Sequence, residues 1–291
     1  MSHVLVLIAD RRSTTLSDAV LARVGKAIAA GPPVILSPGE AVEFSCPTPP
    51  DLQAVRAALA PSPIDAIAIP AAGRRKKLLL ADMDSTVVTA ETLDELAAFA
   101  GLKEEVAAIT RAGMNGEIDF REGLRRRVAM LKGLPVIALE QTWRTLRFSE
   151  GAAALIATMR RHGATTALVS GGFTYFTSRV AVALGFDIHR ANVLLHDDEM
   201  LTGFVAEPIR DRDDKLRALH ELSSTRNLPL SATLAVGDGA NDLPMLLAAG
   251  LGIAWHAKPS VAAAAAARVD FADLRALLFI QGFHHSEILE P

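Results

Sequence analysis

Apolar and polar positions along the chain fall into three successive regimes. In the first, HVLVLIA at 3–9 is a short apolar run that predicts a strand. From Asp18 to Ala30 apolar residues recur at helical spacing behind a Ser/Thr-rich start able to cap a helix. PPVILSPGEAVEFSC predicts two short strands around a Pro-Gly turn, DLQAVRAALA a helix and IDAIAIPA a strand. The second regime opens at Lys77. LLLADMD has the continuous apolar character of a strand buried on both faces of a parallel sheet. Residues 91–147 then follow a helical pattern through ETLDELAAFAGL, EEVAAITRAGM, FREGLRRRVAMLKGL and VIALEQTWRTL, an insertion placed above the sheet. In the third regime the sheet pattern resumes. A helix is predicted over 151–162, TTALVSGG is a strand ending in a Gly turn, and a helix covers 174–184. NVLLHDDEMLTGFV predicts a hairpin with an acidic tip, about 213–223 a helix, and ATLAVGDGAND a strand ending in acids. A helix, the short strand LGIAW and a final helix close the chain, with the alanine run Ala262–Ala267 read as helical.

The first regime has the order βαββαβ of a small ferredoxin-like unit, and PAAGRRKK separates it from the rest. The expectation is an α/β protein with a domain at 1–73 and another at 74–291. The second would be a doubly wound parallel sheet carrying a helical cap at about 90–149. The basic run Arg74–Lys77 has no interleaved aromatic residues and reads as a solvated linker. A net charge of −3 offers no basic field to nucleic acid or an anionic membrane surface. Cys46 is the only cysteine, so no intrachain disulfide can form and a reducing, cytoplasmic setting is expected. The N-terminus lacks a cationic segment before its apolar run and reads as a first strand, not a signal peptide. No uninterrupted apolar stretch is long enough for a membrane span.

The chemistry gathers where strands are predicted to end: Asp82/Asp84, Ser170/Gly171 and Asp238/Asn241/Asp242. Ligands of open parallel sheets bind beyond the carboxyl ends of the strands. DMDST could be an Asx-capped turn. As an EF-hand loop it fails, because Val87 stands where glycine is required. GDGAND fails as a dinucleotide fingerprint, with Asp242 in the place of its last glycine. Jointly the clusters describe a phosphate site. Acids at two strand ends suit a hard divalent cation with oxygen ligands, magnesium better than zinc. The Ser170 hydroxyl and the Gly171–Gly172 amides can hold phosphoryl oxygens, and Lys215 can supply the remaining positive charge. One aspartate can then attack phosphorus while the other handles a proton.

With these residues in view, the sequence resembles the haloacid dehalogenase superfamily. DMDST at 82–86, VSGGF at 169–173, Lys215 and GDGAND at 237–242 stand in that superfamily's order, within a resemblance covering roughly 77–280. Inside the superfamily the chain is similar to the phosphoserine phosphatases in ADMDSTVVTAETLDELA, AGMNGEIDFREGLRRRV, ALVSGGF and AVGDGANDLPML. Met83 stands where that family often has Phe. The resemblance implies hydrolysis of O-phosphoserine, the last step of serine biosynthesis, through an aspartyl-phosphate on Asp82. It implies Asp84 as the proton donor and acceptor. Mg2+ would be held by the side chains of Asp82 and Asp238 and the main-chain carbonyl of Asp84. Ser170, Gly171 and Lys215 would hold the phosphoryl group, with Asn241 against it and Asp242 orienting Lys215 or metal-bound water. Glu91 would receive the substrate ammonium and Arg127 its carboxylate, with Met114 and Phe120 closing the pocket. Another small phosphate monoester, such as phosphothreonine or homoserine phosphate, is the alternative substrate. A sensing or oligomerisation protein with a degenerate site is the non-enzyme alternative, against which the intact acidic set stands. Residues 1–73 resemble an ACT-like module, a unit able to join two copies into a homodimer. No histidine is needed for this chemistry; His256 is expected to be packed or solvated, and His284–His285 lack a third metal ligand.

Overall fold

A computed structural model describes residues 2–114 and 117–291, with the Met114 side chain outside the description. The first unit contains β1 (His3–Ala9), α1 (Asp18–Ala27), β2 (Val34–Ser37), β3 (Ala41–Cys46), α2 (Leu52–Leu59) and β4 (Ile64–Pro70). Its antiparallel sheet has the order β2-β3-β1-β4, with both neighbours of β1 paired along nearly its whole length. The continuous apolar run of β1 follows from burial on both faces. Leu5, Leu7 and Ala9 pack with Val20, Val24, Val55 and Leu59 under the two helices. Val4, Val6 and Ile8 enter the large core shared with the rest of the chain. Ser17 caps α1 by accepting from the Val20 amide, and Asp51 caps α2 by accepting from those of Gln53 and Ala54.

The second unit contains β5 (Leu78–Ala81), α3 (Thr92–Ala98), α4 (Lys103–Met114), α5 (Phe120–Ala129), α6 (Ile137–Thr145) and α7 (Ala152–Arg161). It continues with β6 (Thr165–Phe173), α8 (Thr174–Leu184), β7 (Ile188–Asn192) and the hairpin β8 (Leu194–His196) and β9 (Leu201–Val205). Then come α9 (Arg212–Thr225), β10 (Thr233–Gly237), α10 (Leu243–Ala248), β11 (Leu251–Trp255), α11 (Pro259–Ala264), β12 (Ala267–Val269) and α12 (Ala276–Ile280). The six-stranded sheet is parallel throughout, in the order β12-β11-β10-β5-β6-β7. Strand β5 therefore sits between β10 and β6. That order sets the predicted acids of the first and third motifs side by side, with the serine motif on the other flank.

Four elements differ from the sequence expectation. IHRAN forms edge strand β7, although three of its five residues are polar and leave no apolar alternation to read. The alanine run does not stay helical: Ala265 turns extended after α11, and Ala267 opens β12. Helix α12 is ALLFI, buried on every side, so it carries no amphipathic signal. Strand β6 runs on to Phe173 in place of ending at the glycines, with its register against β7 broken between Val169 and Phe173.

The basic run Arg74–Lys77 lies between the two sheets. Arg74 pairs with Glu43 at 2.6 Å. Arg75 pairs with Glu287 at 2.9 Å and lies over the Phe283 ring. Lys76 donates to the carbonyls of Gly73 and Ser231, and Lys77 to that of His162. Asp65 of β4 accepts from three successive amides, those of Asp270, Phe271 and Ala272, at 2.7–3.1 Å. Buried Arg275 pairs with Glu40, Asp273 and Glu290. The contacts of Glu43, Asp65 and Glu40 fasten the first sheet to the rest of the chain.

Candidate active site

The apolar β5 drives Asp82 to the carboxyl end of the central strand, where it is 5 % exposed. The chain then makes a wide turn closed by the Val88 amide on the Met83 carbonyl at 2.9 Å. Within the turn Asp84 is extended, and Ser85 takes a left-handed φ of 55°. Such a conformation is costly for a residue with a Cβ. The Ser85 hydroxyl donates to Glu91 Oε1 at 2.7 Å and ties the turn to the start of α3. Asp84 Oδ1 accepts from the Thr92 amide at 3.2 Å. The two carboxylates thus have separate anchors: Asp82 Oδ1 takes the Met83 amide at 2.8 Å and Lys215 Nζ at 2.7 Å.

On β10, Asp238 follows Gly237 and accepts from the Thr86 hydroxyl at 2.9 Å. Asp242 folds back so closely that a Cβ on Gly237 would lie 2.3 Å from its Cγ, which makes glycine obligatory there. Lys215 on α9 is 2 % exposed and bridges Asp82 and Asp242, at 2.7 and 2.6 Å. On β6 the Ser170 hydroxyl accepts from the Gly172 amide at 2.9 Å. A Cβ on Gly171 would come within 2.9 Å of Phe120 Cζ, so glycine lets that ring approach the loop.

These residues face one cavity. Asp82, Asp84, Ser170, Gly171, Asp238 and Asn241 line it from the sheet, and Glu91, Phe120 and Arg127 from the helical insertion. Within the arginine run, Arg125 pairs with Glu207 and Arg126 with Glu122 on the outside. Arg127 alone of the three lines the cavity. The expectation for Met114 falls on a side chain outside the described residues.

The electrostatics are those of a site short of positive charge. Carboxylate oxygens of Asp82, Asp238 and Asp242 lie within 4.8 Å of one another, all buried. Burial first, then the Asp242 charge, push Asp82 well above the ordinary carboxylate range against the pull of Lys215. Burial and Asp242 push Asp238 up to about 6. Burial and the neighbouring Glu91 push Asp84 up to about 8. Burial pulls Lys215 down, but Asp242 and Asp82 outweigh it and raise it overall. One lysine does not balance three carboxylates, and the donor set is all oxygen. Both facts fit a hard divalent cation.

Two participants received no role from the sequence, Thr86 at the end of the DMDST motif and Asn192 outside every motif. Thr86 holds Asp238 across two strands. Asn192, 2 % exposed, donates to the carbonyls of Gly171 (2.8 Å) and Arg210 (3.1 Å) and accepts from the Arg210 amide (2.7 Å). It pins the serine loop to the segment leading into α9 and Lys215. His256 stacks on Trp255 and bonds the Ala272 carbonyl, a packing role.

The chain matches the profile of haloacid dehalogenase-like hydrolases over residues 76–250. It is 48% identical over 191 residues to the phosphoserine phosphatase of Polaromonas sp., a match covering 64% of this chain and 81% of that one. It is 43% identical over 225 residues to the phosphoserine phosphatase of Streptomyces coelicolor, covering 76% of this chain but 55% of that one. It thus spans about half the length of that longer relative. Among solved structures, a HAD family hydrolase from Salmonella enterica serovar Typhi superposes with a TM-score of 0.86 at 28% identity, over 97% of this chain and 98% of the other. A phospho-aspartyl intermediate analogue of a phosphoserine phosphatase superposes with a TM-score of 0.67 at 40% identity, over 70% of this chain and 98% of that one. With motif order, strand-end geometry and these likenesses in agreement, the chain belongs to the phosphoserine phosphatase family of the haloacid dehalogenase-like hydrolases.

Proposed function

We propose that the protein hydrolyses O-phosphoserine to serine and phosphate through an aspartyl-phosphate on Asp82, with magnesium as cofactor. One observation carries this reading. Asp82, Asp84 and Ser170 line one cavity with Glu91 and Arg127, and the buried Lys215 holds Asp82 from behind. The Glu91 carboxylate and the Arg127 guanidinium complement the ammonium and carboxylate of a zwitterionic amino acid, and a divalent cation among the acids would complement the phosphate on its side chain.

Asp82 Oδ1 is held by an amide and by Lys215, which aims a carboxylate that lines the cavity. Its attack forms an oxygen–phosphorus bond as the bond from phosphorus to the serine oxygen breaks. Asp84, protonated at neutral pH by burial beside Glu91, gives its proton to that oxygen. Its carboxylate then takes a proton from water as the water oxygen bonds phosphorus and the Asp82–phosphorus bond breaks. Each such proton transfer typically contributes about 10²–10⁴-fold. Ser170 and the Gly171–Gly172 amides orient the phosphoryl oxygens, and Lys215 offsets the charge gathered by Asp82 and Asp242. Magnesium, held by Asp82, Asp238 and the Asp84 carbonyl, would supply the positive charge that draws phosphate in and stabilises its loose transition state. Helices α3–α6, at about 90–149, would form the cap that excludes water.

We read 1–73 and 74–291 as two domains, in a cytoplasmic protein paired through the first. The open edge of β2, with Val34 and Ile35 exposed, motivates that pairing. A monomer mass in light scattering would contradict it.

Phosphate release from a panel of phosphorylated metabolites, with and without magnesium, tests the function. Phosphoserine should be the preferred substrate and chelation should abolish turnover. Preference for phosphothreonine or homoserine phosphate would move the substrate, and no metal-dependent release would remove the enzyme.

A further inference from the structure

Arg127 is held at the amino-acid end of the cavity in an uncommon way. Its Nε donates to the Gly123 carbonyl at 3.2 Å, and its Nη1 donates to the Thr110 hydroxyl at 3.0 Å. Thr110 in turn donates to Asp94 Oδ1 at 2.8 Å. A hydroxyl has one proton, and the charged acceptor at 2.8 Å outcompetes the Val106 carbonyl at 3.1 Å for it. The lone pairs of Thr110 are thereby turned toward Arg127. Both Thr110 and Asp94 are buried, so the relay cannot be replaced by bulk water. Among the described residues no carboxylate forms an ion pair with Arg127, while Arg125 and Arg126 each have one.

The arrangement has a physical logic. A direct Asp–Arg pair would orient the guanidinium equally well, but it would consume one edge and neutralise it. A neutral hydroxyl between them passes on the orientation and leaves the charge. Of the five N–H donors of an arginine, two are committed here, so three remain for a ligand, enough for a bidentate carboxylate contact.

We propose that Thr110, backed by Asp94, is the positioning residue that aims Arg127 at the substrate carboxylate, and so sets the preference for phosphoserine over a phosphomonoester lacking that group. The inference rests on the phosphoserine reading and adds to it the residues that enforce discrimination.

Phosphoethanolamine keeps the phosphate and ammonium of phosphoserine and lacks the carboxylate, so the pair of substrates isolates the contact. Thr110→Val keeps the side-chain shape and removes the relay. It should raise KM for phosphoserine about tenfold, with a much smaller change in kcat and no matching rise for phosphoethanolamine. Thr110→Ser, which retains the hydroxyl, should restore most of the preference. A parent enzyme that prefers phosphoserine, with a valine variant that keeps the whole preference, overturns the relay alone. An equal KM rise for both substrates, or a serine variant as impaired as valine, also overturns it. A parent that turns over both substrates alike overturns the carboxylate reading of Arg127 and the relay with it. If the valine variant does not fold, Asp94→Leu, which removes the acceptor of the Thr110 proton, carries the same comparison: lost discrimination is expected, and retained discrimination overturns the proposal.

Discussion

The two ends of the cavity solve the problem of buried charge in opposite ways. At the phosphoryl end, charges pair with each other: Lys215 holds Asp82 and Asp242 at 2.7 and 2.6 Å, on loops fixed by adjacent strands of one sheet. At the amino-acid end, charges are held by neutral partners. Glu91 accepts from the Ser85 hydroxyl at 2.7 Å, and Arg127 donates to the Thr110 hydroxyl at 3.0 Å. Burial raises Glu91 and lowers Arg127, so each pays to remain charged until a partner of opposite sign arrives. The difference separates chemistry from recognition. The reacting end is pre-organised by internal pairing, and the reading end leaves its charge to the ligand.

Substitutions at the phosphoryl end should cost most, and in kcat. Asp82→Asn should lower kcat by at least about 10⁴-fold with the fold intact by circular dichroism. Asp84→Asn, which cannot donate or accept the proton, should cost about 10²–10⁴-fold in kcat. Lys215→Met would leave Asp82 and Asp242 buried without their cation and should destabilise the metal-free protein by about 3–5 kcal/mol in urea unfolding. A stable Lys215→Met protein would break the claim that this end depends on internal pairing.

At the other end the effect should be on KM. Arg127→Ala should raise KM for phosphoserine about 10²-fold. The solvent-facing Arg125→Ala should leave it within about twofold. Equal losses would erase the difference between the two ends.

The smallest effect is that of pH on magnesium. Burial and Asp242 raise Asp238 from 3.8 to about 6, and the metal competes with that proton. Affinity by calorimetry should weaken as pH falls through about 6, and by more than the roughly tenfold per pH unit of a single proton, because the Asp82 ligand is raised as well. In the metal-free protein the same shift has the sign of a raised acid. The folded state binds the proton more tightly than the unfolded state, so stability falls as pH rises from 3.8 to about 6.

The phosphoryl end was legible in the sequence because its residues follow apolar strands at fixed offsets. Asp82, Asp238 and Ser170 each follow a run that leaves little choice of element. Glu91 and Arg127 came from resemblance, since a carboxylate or guanidinium on a helix carries no periodic signal of which way it faces. Arg125–Arg127 would read alike to any composition rule, and helix phase against the cavity separates them. Thr110 and Asn192 were invisible for a further reason: each acts through buried hydrogen bonds to partners far along the chain. The elements missed, β7, β12 and α12, are a polar edge strand, a three-residue strand and a helix apolar on all sides. Tertiary burial decides all three, not local pattern.

Acid quenching of the enzyme during phosphoserine turnover, followed by mass spectrometry of the peptide bearing Asp82, asks most directly whether its carboxylate captures phosphorus. The account predicts phosphate on Asp82 in the parent and none at that position in Asp82→Asn. Phosphate on Ser170, or turnover with no phosphorylated Asp82 at any quench time, would contradict it.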